Sequence, residues 1–186
     1  MEFNDVIMTR KSVRSYLPDP IPDDILQTIL EAGRNAPSYQ NKQCWRFIVI
    51  NNREKIKEFA ANTGLIGKVN FFIKDAPLII VACADISRSG TMNKQDYYLV
   101  DSAIAFHQMM LTAWNNGIGS CWMAAFDEDR VRKSLSIPRS IRVVAISPFG
   151  YPKEKESLYG TVIKLFASSK SRQSIDKMVC YNKWSL

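Results

Sequence analysis

The sequence predicts a single domain in which helices pack on one layer of β-sheet, an α+β or α/β arrangement. Three observations predict it. Helical patterns interleave with about four strand-like runs. One long helix, 96–116, is apolar on most of its sides and so belongs at a centre. The 186 residues, 46% apolar and 23% charged, describe a globular chain long enough to bury a core.

Taken in order, residues 3–9 read as a short helix with Asn4 or Asp5 as its N-cap. Arg10-Lys11-Ser12-Val13-Arg14-Ser15-Tyr16 follows its last turn. A solvated basic turn would have the same composition. Alternatively this is an anion site, with Arg10 and Arg14 forking onto phosphate or carboxylate oxygens and Ser12 donating a further bond. Pro18, Pro20 and Pro22 exclude helix from 17 to 22. A second helix then starts with Pro22 or Asp23 in its first turn. It carries Ile25, Leu26, Ile29, Leu30 and Gly33 on one face and ends at Ala36-Pro37. The loop before strand Trp45–Ile50 crowds amides and hydroxyls together, more than one turn requires, and so reads as ligand-facing.

Residues 53–62 form a short charged helix, and a further helix is placed at 65–74. Pro77–Ala84 is a buried strand, β-branched and apolar throughout. Residues 85–95 have no period and read as a mobile surface loop. The long helix Asp96–Asn116 spreads Leu99, Val100, Ile104, Phe106, Met110 and Trp114 around its circumference. Its own fold or a second subunit must cover them, and Gly117 caps its end. Ile118–Ala124 and Ile141–Pro148 are strands, separated by a helix at 127–135 capped by Asp127. After Gly150-Tyr151-Pro152 the chain turns outward. This sets a core at 1–152 and an arm at 153–186 that wraps the domain or a partner, ending in Tyr181 and Trp184.

Composition narrows the chemistry. A net charge of +7 suits nucleic acid, a membrane surface or a small anion. The cations are dispersed, without a polybasic tract or an aromatic RNA-binding motif, so a small anion is favoured and no nucleic acid is expected. The longest apolar runs are too short to span a bilayer, and Met-Glu-Phe-Asn-Asp lacks the pattern of a signal peptide. Four scattered cysteines without a CxxC pair suit reduced thiols, and a cytoplasmic protein is expected. The single histidine, His107, offers no clustered zinc site, so no metal is expected, and no Gly-x-Ser-x-Gly elbow is present. Gly117-Ile-Gly119-Ser-Cys-Trp122 fails as a dinucleotide fingerprint, because Trp122 replaces the third glycine and helix precedes strand. Gly64-Leu-Ile-Gly67-Lys68-Val69 is too short for a phosphate loop. Cations, amides and aromatics without an acid–base set remain. That is the equipment for binding a cofactor that brings its own chemistry.

These residues resemble the nitroreductase family of FMN-dependent oxidoreductases. Arg10-Lys-Ser-Val-Arg14 is similar to its Arg-Arg-Ser-x-Arg motif. Ala36-Pro37-Ser38-Tyr-Gln-Asn41-Lys-Gln43-Cys44-Trp45-Arg-Phe47 is similar to its Ala-Pro-Ser-x-x-Asn-x-Gln-Pro-Trp-x-Phe stretch. Gly117–Trp122, Gly150-Tyr151-Pro152 and Lys170-Ser-Arg172 follow in the family order. The resemblance implies an α+β fold, a mostly antiparallel sheet of four to five strands flanked by helices, in an intertwined homodimer with FMN at the interface. By position it implies that Arg10, Ser12, Lys170 and Arg172 hold the FMN phosphate, with Lys11 adjacent, and that Arg14 faces the pyrimidine edge. It further implies that Pro37, Ser38 and Asn41 reach the flavin from the other subunit, supported by Gln43, while Trp122, Met123, Ala124 and Ala125 pass its N5 edge. The implied activity moves hydride from NADH or NADPH through flavin N5 to a nitroaromatic, quinone or similar acceptor, with no acid–base residue. A flavin-binding or sensing protein with little turnover is the alternative. Cys44 in place of proline and the long spacer 153–169 depart from the family pattern.

Overall fold

The computed structural model describes residues 1–63, 68–154 and 172–184. The chain divides into two compact units, Met1–Lys155 and Glu156–Leu186. The first is an α+β unit around a four-stranded sheet of β1 (Trp45–Ile50), β2 (Leu78–Asp85), β6 (Ile141–Gly150) and β5 (Gly119–Ser120), antiparallel throughout in the order β1-β2-β6-β5. Six helices and helical turns matter to the site: α1 (Phe3–Thr9), α2 (Asp23–Arg34), α3 (Arg53–Ala61), a 3-10 helix at Lys68–Asp75, α4 (Tyr97–Asn115) and α5 (Glu128–Ser134).

The continuous apolar run of β2 has a simple cause: both faces of the strand are covered. Alternate side chains serve opposite layers. Ile79, Val81 and Cys83 face Ile56, Phe59, Ile73 and Val131, while Leu78, Ile80 and Ala82 face Ile29, Phe106, Met109 and Phe149. α2 lies so close to α4 that a Cβ on Gly33 would sit 2.6 Å from Met109 Sδ. Asn52 caps α3, its Oδ1 accepting from the N–H groups of Glu54 and Lys55 at 3.1 and 3.0 Å. Asp127 caps α5 by accepting from Arg130 N–H.

Several expectations change. α1 begins with Glu2 at its N-cap rather than Asn4 or Asp5, and no side chain caps it; Asp5 instead lies in the first turn, where its charge complements the helix dipole. The strand expected over 118–124 is two residues long. Cys121 N–H turns aside to Ser147 Oγ at 3.1 Å, which breaks the ladder until Met123 pairs with Ile146. The segment 85–95, expected to be an aperiodic loop, carries regular structure. Asp85 caps a 3-10 turn, Ile86–Arg88, and a hairpin follows, β3 (Thr91–Met92) with β4 (Gln95–Asp96). Asn93 and Lys94 adopt left-handed φ of 52° and 63°, the geometry of a two-residue hairpin turn. Part of the helix expected at 65–74 falls outside the described residues; Lys68–Asp75 is 3-10.

In the second unit, Ile175–Lys177 is a 3-10 turn, and Tyr181 and Trp184 are exposed. Lys170 and most of the spacer 153–169 lie outside the described residues. Among the described residues, no helix is long and apolar enough to cross a membrane.

Candidate functional site

The segment 10–16 is held by its backbone. Arg10 N–H closes α1 on Val6 O at 3.1 Å, Val13 N–H donates to Ser120 O at 2.9 Å, and Lys153 N–H donates to Ser15 O at 3.1 Å. Val13 and Tyr16 point into the core, and the Tyr16 hydroxyl donates to Val13 O. Gly119 permits this approach, since a Cβ there would lie 2.5 Å from Val13 Cγ2. With Val13 inward, Ser12 and Arg14 flank it as half-buried side chains, and Lys11 is exposed.

Electrostatics show where these groups converge. Burial pushes the Cys121 thiol up, while the Arg14 charge, a Ser12 hydrogen bond and the Arg10 charge pull it back. Arg10 also reaches toward α4: burial lowers the pKa of His107, and the Arg10 charge lowers it further. Three of the expected residues therefore lie within electrostatic reach of Cys121, the residue that follows β5. Arg14 Nη1 is buried and, among the described residues, makes no hydrogen bond. A buried guanidinium nitrogen in that condition calls for an acceptor.

The residues after β5 alternate. Trp122 and Ala124 face outward, whereas Cys121 and Met123 are buried, and both backbone groups of Met123 pair with Ile146. Trp122 packs its ring on Phe106 of α4, centroids 5.4 Å apart. Ala125 O accepts from Asn70 Nδ2 at 2.7 Å, which ties this stretch to the 3-10 helix.

The loop 38–44 is a second constellation. Pro37, Asn41 and Gln43 are exposed and Ser38 is half-buried. Gln40, Asn41 and Gln43 all take left-handed φ, 50°, 54° and 49°. Ser38 Oγ accepts from Gln43 N–H at 3.0 Å, and Gln43 Nε2 donates to Asn41 Oδ1 at 2.9 Å. The Tyr39 ring packs on Tyr97, centroids 4.6 Å apart and planes inclined at 36°. Among the described residues, no hydrogen bond or ion pair links this loop to segment 10–16. Arg172 belongs to the second unit.

Sequence reading passes over Asn70 and Asp101. Asp101 carries a usable signal, an acid set between Val100 and Ile104 on an apolar helix. Among the described residues, no group of three or more His, Cys, Asp or Glu could hold a metal ion.

Residues 7–151 match the family model described as Nitroreductase family. A crystal structure of a nitroreductase family protein from Clostridium novyi NT is similar at a TM-score of 0.78 and 35% identity, over 83% of this chain and 87% of that one. An FMN-dependent nitroreductase from Clostridium difficile R20291 is similar at 0.76 and 27% identity, over 97% of this chain and 99% of that one. A Thermus thermophilus protein named NADH dehydrogenase is 28% identical, over 80% of this chain and 85% of the relative.

Proposed function

The chain belongs to the nitroreductase family, and on that premise we propose that it is an FMN-dependent oxidoreductase of the cytoplasm, passing hydride from NADH or NADPH to a nitroaromatic, quinone or similar acceptor. The observation that carries this reading is the convergence of Arg10, Ser12 and Arg14 beside β5, with Arg14 Nη1 buried and, among the described residues, unpartnered. Such a set fits FMN: one fork and a hydroxyl for phosphate oxygens, and a second guanidinium for the acceptor-rich pyrimidine edge.

When bound, FMN supplies the electron chemistry, taking hydride from a reduced nicotinamide and passing it to the acceptor. The chain's own part is to bind and orient. Arg10 and Ser12 hold the phosphate, Lys11 lends charge nearby, and Lys170 and Arg172 complete the set in this proposal. Arg14 sets a fixed positive charge where negative charge gathers on reduction, which stabilises it without reorganisation. Trp122 and Ala124 form a wall, with Ala125 beside it, and Met123, whose N–H and C=O pair with Ile146, anchors that wall to β6.

Pro37, Ser38, Asn41 and Gln43 are assigned to the cofactor of a second copy, which makes the working unit a homodimer. An exposed apolar stripe supports this: Val100 is 44% and Ile104 37% exposed on α4, beside exposed Phe3, Ile7 and Met8 on α1. The Trp114 Nε1 bond to Thr9 Oγ1, 2.9 Å, holds the two helices together.

Absorbance of the purified protein tests the cofactor, and anaerobic stopped-flow bleaching by NADH or NADPH tests the enzyme. A yellow protein that bleaches and is reoxidised by a quinone fits the proposal. A yellow protein that does not bleach is instead a flavin binder. Replacing both Arg10 and Arg172 with alanine should yield largely colourless protein, at roughly 1.5–3 kcal/mol lost per charged hydrogen bond.

A further inference from the structure

Asp101 is 2% exposed, on the inner face of α4. A carboxylate is buried at a cost unless it is hydrogen-bonded, so its partners indicate what it is there to hold. Oδ1 accepts the Tyr39 N–H at 2.9 Å, and Oδ2 accepts the Cys44 S–H at 3.9 Å. The two oxygens therefore grip opposite ends of one short loop. Between those ends stand Gln40, Asn41 and Gln43, three non-glycine residues in left-handed conformations that isolated chain rarely populates. Such backbone persists only where its surroundings over-determine it. Asp85 N–H to Cys44 O at 2.8 Å and Lys42 Nζ to Ser89 O at 3.5 Å also tie the loop to the body, but each holds one point of it, whereas the Gln43 to Ser38 and Gln43 to Asn41 bonds act only within the loop.

We propose that Asp101 is the positioning residue of the flavin site, its two carboxylate oxygens clamping Tyr39 and Cys44 so that Ser38, Asn41 and Gln43 are presented in one conformation to the cofactor. This deepens the proposed function and rests on it. The donor state of the thiol is secure, because burial pushes the Cys44 pKa up and the Asp101 charge adds to that. The hairpin side supports the clamp: Tyr97, in the same helix, packs its ring on that of Tyr39, and Gly90 lies where a Cβ would come within 2.9 Å of the Tyr39 ring. Val100 and Ile104, beside Asp101 in sequence, face outward on the stripe assigned to the second copy. One helix thus fixes the loop from within and meets the partner from without.

The test uses Asp101→Asn, Cys44→Ala and Cys44→Ser in the full chain, with two readouts. The first is amide hydrogen exchange of the apoprotein, and the second is FMN affinity by fluorescence titration. Asp101→Asn keeps a carbonyl for Tyr39 N–H but can offer the Cys44 thiol only an amide. Exchange over 39–44 should accelerate while β2 and β6 stay protected, and FMN should bind about tenfold more weakly. Cys44→Ala should give a smaller loss that adds nothing to Asp101→Asn, and Cys44→Ser, which keeps a donor, should stay near wild type. Acceleration spread across α4 and the sheet would make Asp101 a general stabiliser and overturn the proposal, as would unchanged loop exchange. If the wild-type protein binds no FMN, the proposed function fails, while the exchange experiment still decides whether the clamp exists.

Discussion

Gly119→Ala is the sharpest test of how segment 10–16 is held. The added Cβ would lie 2.5 Å from Val13 Cγ2, 2.8 Å from Val13 Cβ and 3.0 Å from Val13 Cγ1. Rotating the valine cannot relieve this, because its Cβ is fixed to the backbone and is itself too near. Segment 12–13 must therefore back away from β5. The strain of overpacking costs about 1–3 kcal/mol, and loss of the Val13 N–H bond to Ser120 O adds about 0.5–1.5 kcal/mol. The displaced segment carries Arg10, Ser12 and Arg14. Losing one charged hydrogen bond to the cofactor is worth roughly 1.5–3 kcal/mol, or about 10- to 150-fold in FMN dissociation constant. Urea denaturation and flavin-fluorescence titration read the two effects separately. Gly117→Ala is the control: Gly117 has φ +75° and nothing within 4 Å of an added methyl, so it should cost roughly 1 kcal/mol of local strain and leave FMN affinity alone. A Gly119→Ala protein with wild-type midpoint and affinity would refute the reasoning.

Three further expectations rest on the same structure. Burial, with help from the Glu128 charge, pushes the Cys83 thiol from 9.0 up to about 12. The folded state thus keeps a proton that the unfolded chain releases, so stability is full below about pH 8.5 and falls as pH rises toward 12, by an amount on the order of 4 kcal/mol. Denaturation midpoints measured from pH 8 to 10.5 should decline, and Cys83→Ala should lessen that slope, with the buried Cys44 and Cys121 thiols supplying the remainder; a wild-type midpoint constant over the range counts against it. Asn70→Ala removes the bond to Ala125 O and should destabilise the fold by roughly 1–3 kcal/mol, with faster hydrogen exchange over 122–126; a silent substitution would mean the stretch is held by other contacts. Ile104→Asp places a charge on the outer stripe of α4 and should shift sedimentation to a monomer with weakened FMN binding, and an intact dimer would remove that stripe from the interface.

Much of the architecture is legible in the sequence because period and burial agree. β1 lies at its expected bounds, and α2, α3, α4 and β6 lie within a few residues of expectation, since each is long or strongly patterned. β5 is shorter than its apolar run suggests because its ladder is broken by a side chain, Ser147, of the strand it pairs with, β6. The hairpin 91–96 escapes sequence reading because Asn93-Lys94 lacks the glycine that usually marks such a turn. At the site, the charged motif Arg10–Arg14 is visible in one dimension, but the buried Arg14 Nη1, unpartnered among the described residues, and the grip of Asp101 on loop 38–44 arise only from tertiary packing.

The stitching of segment 10–16 has an evolutionary consequence. Its seams to Ser120 and Lys153 run through peptide groups, which every amino acid other than proline supplies alike. Exchanging Ser12 or Arg14 for another residue leaves those seams closed. The positions assigned to the ligand are therefore free to drift in charge and size without unfolding their platform, and a lineage built on this frame can change what those positions meet long before it changes its shape.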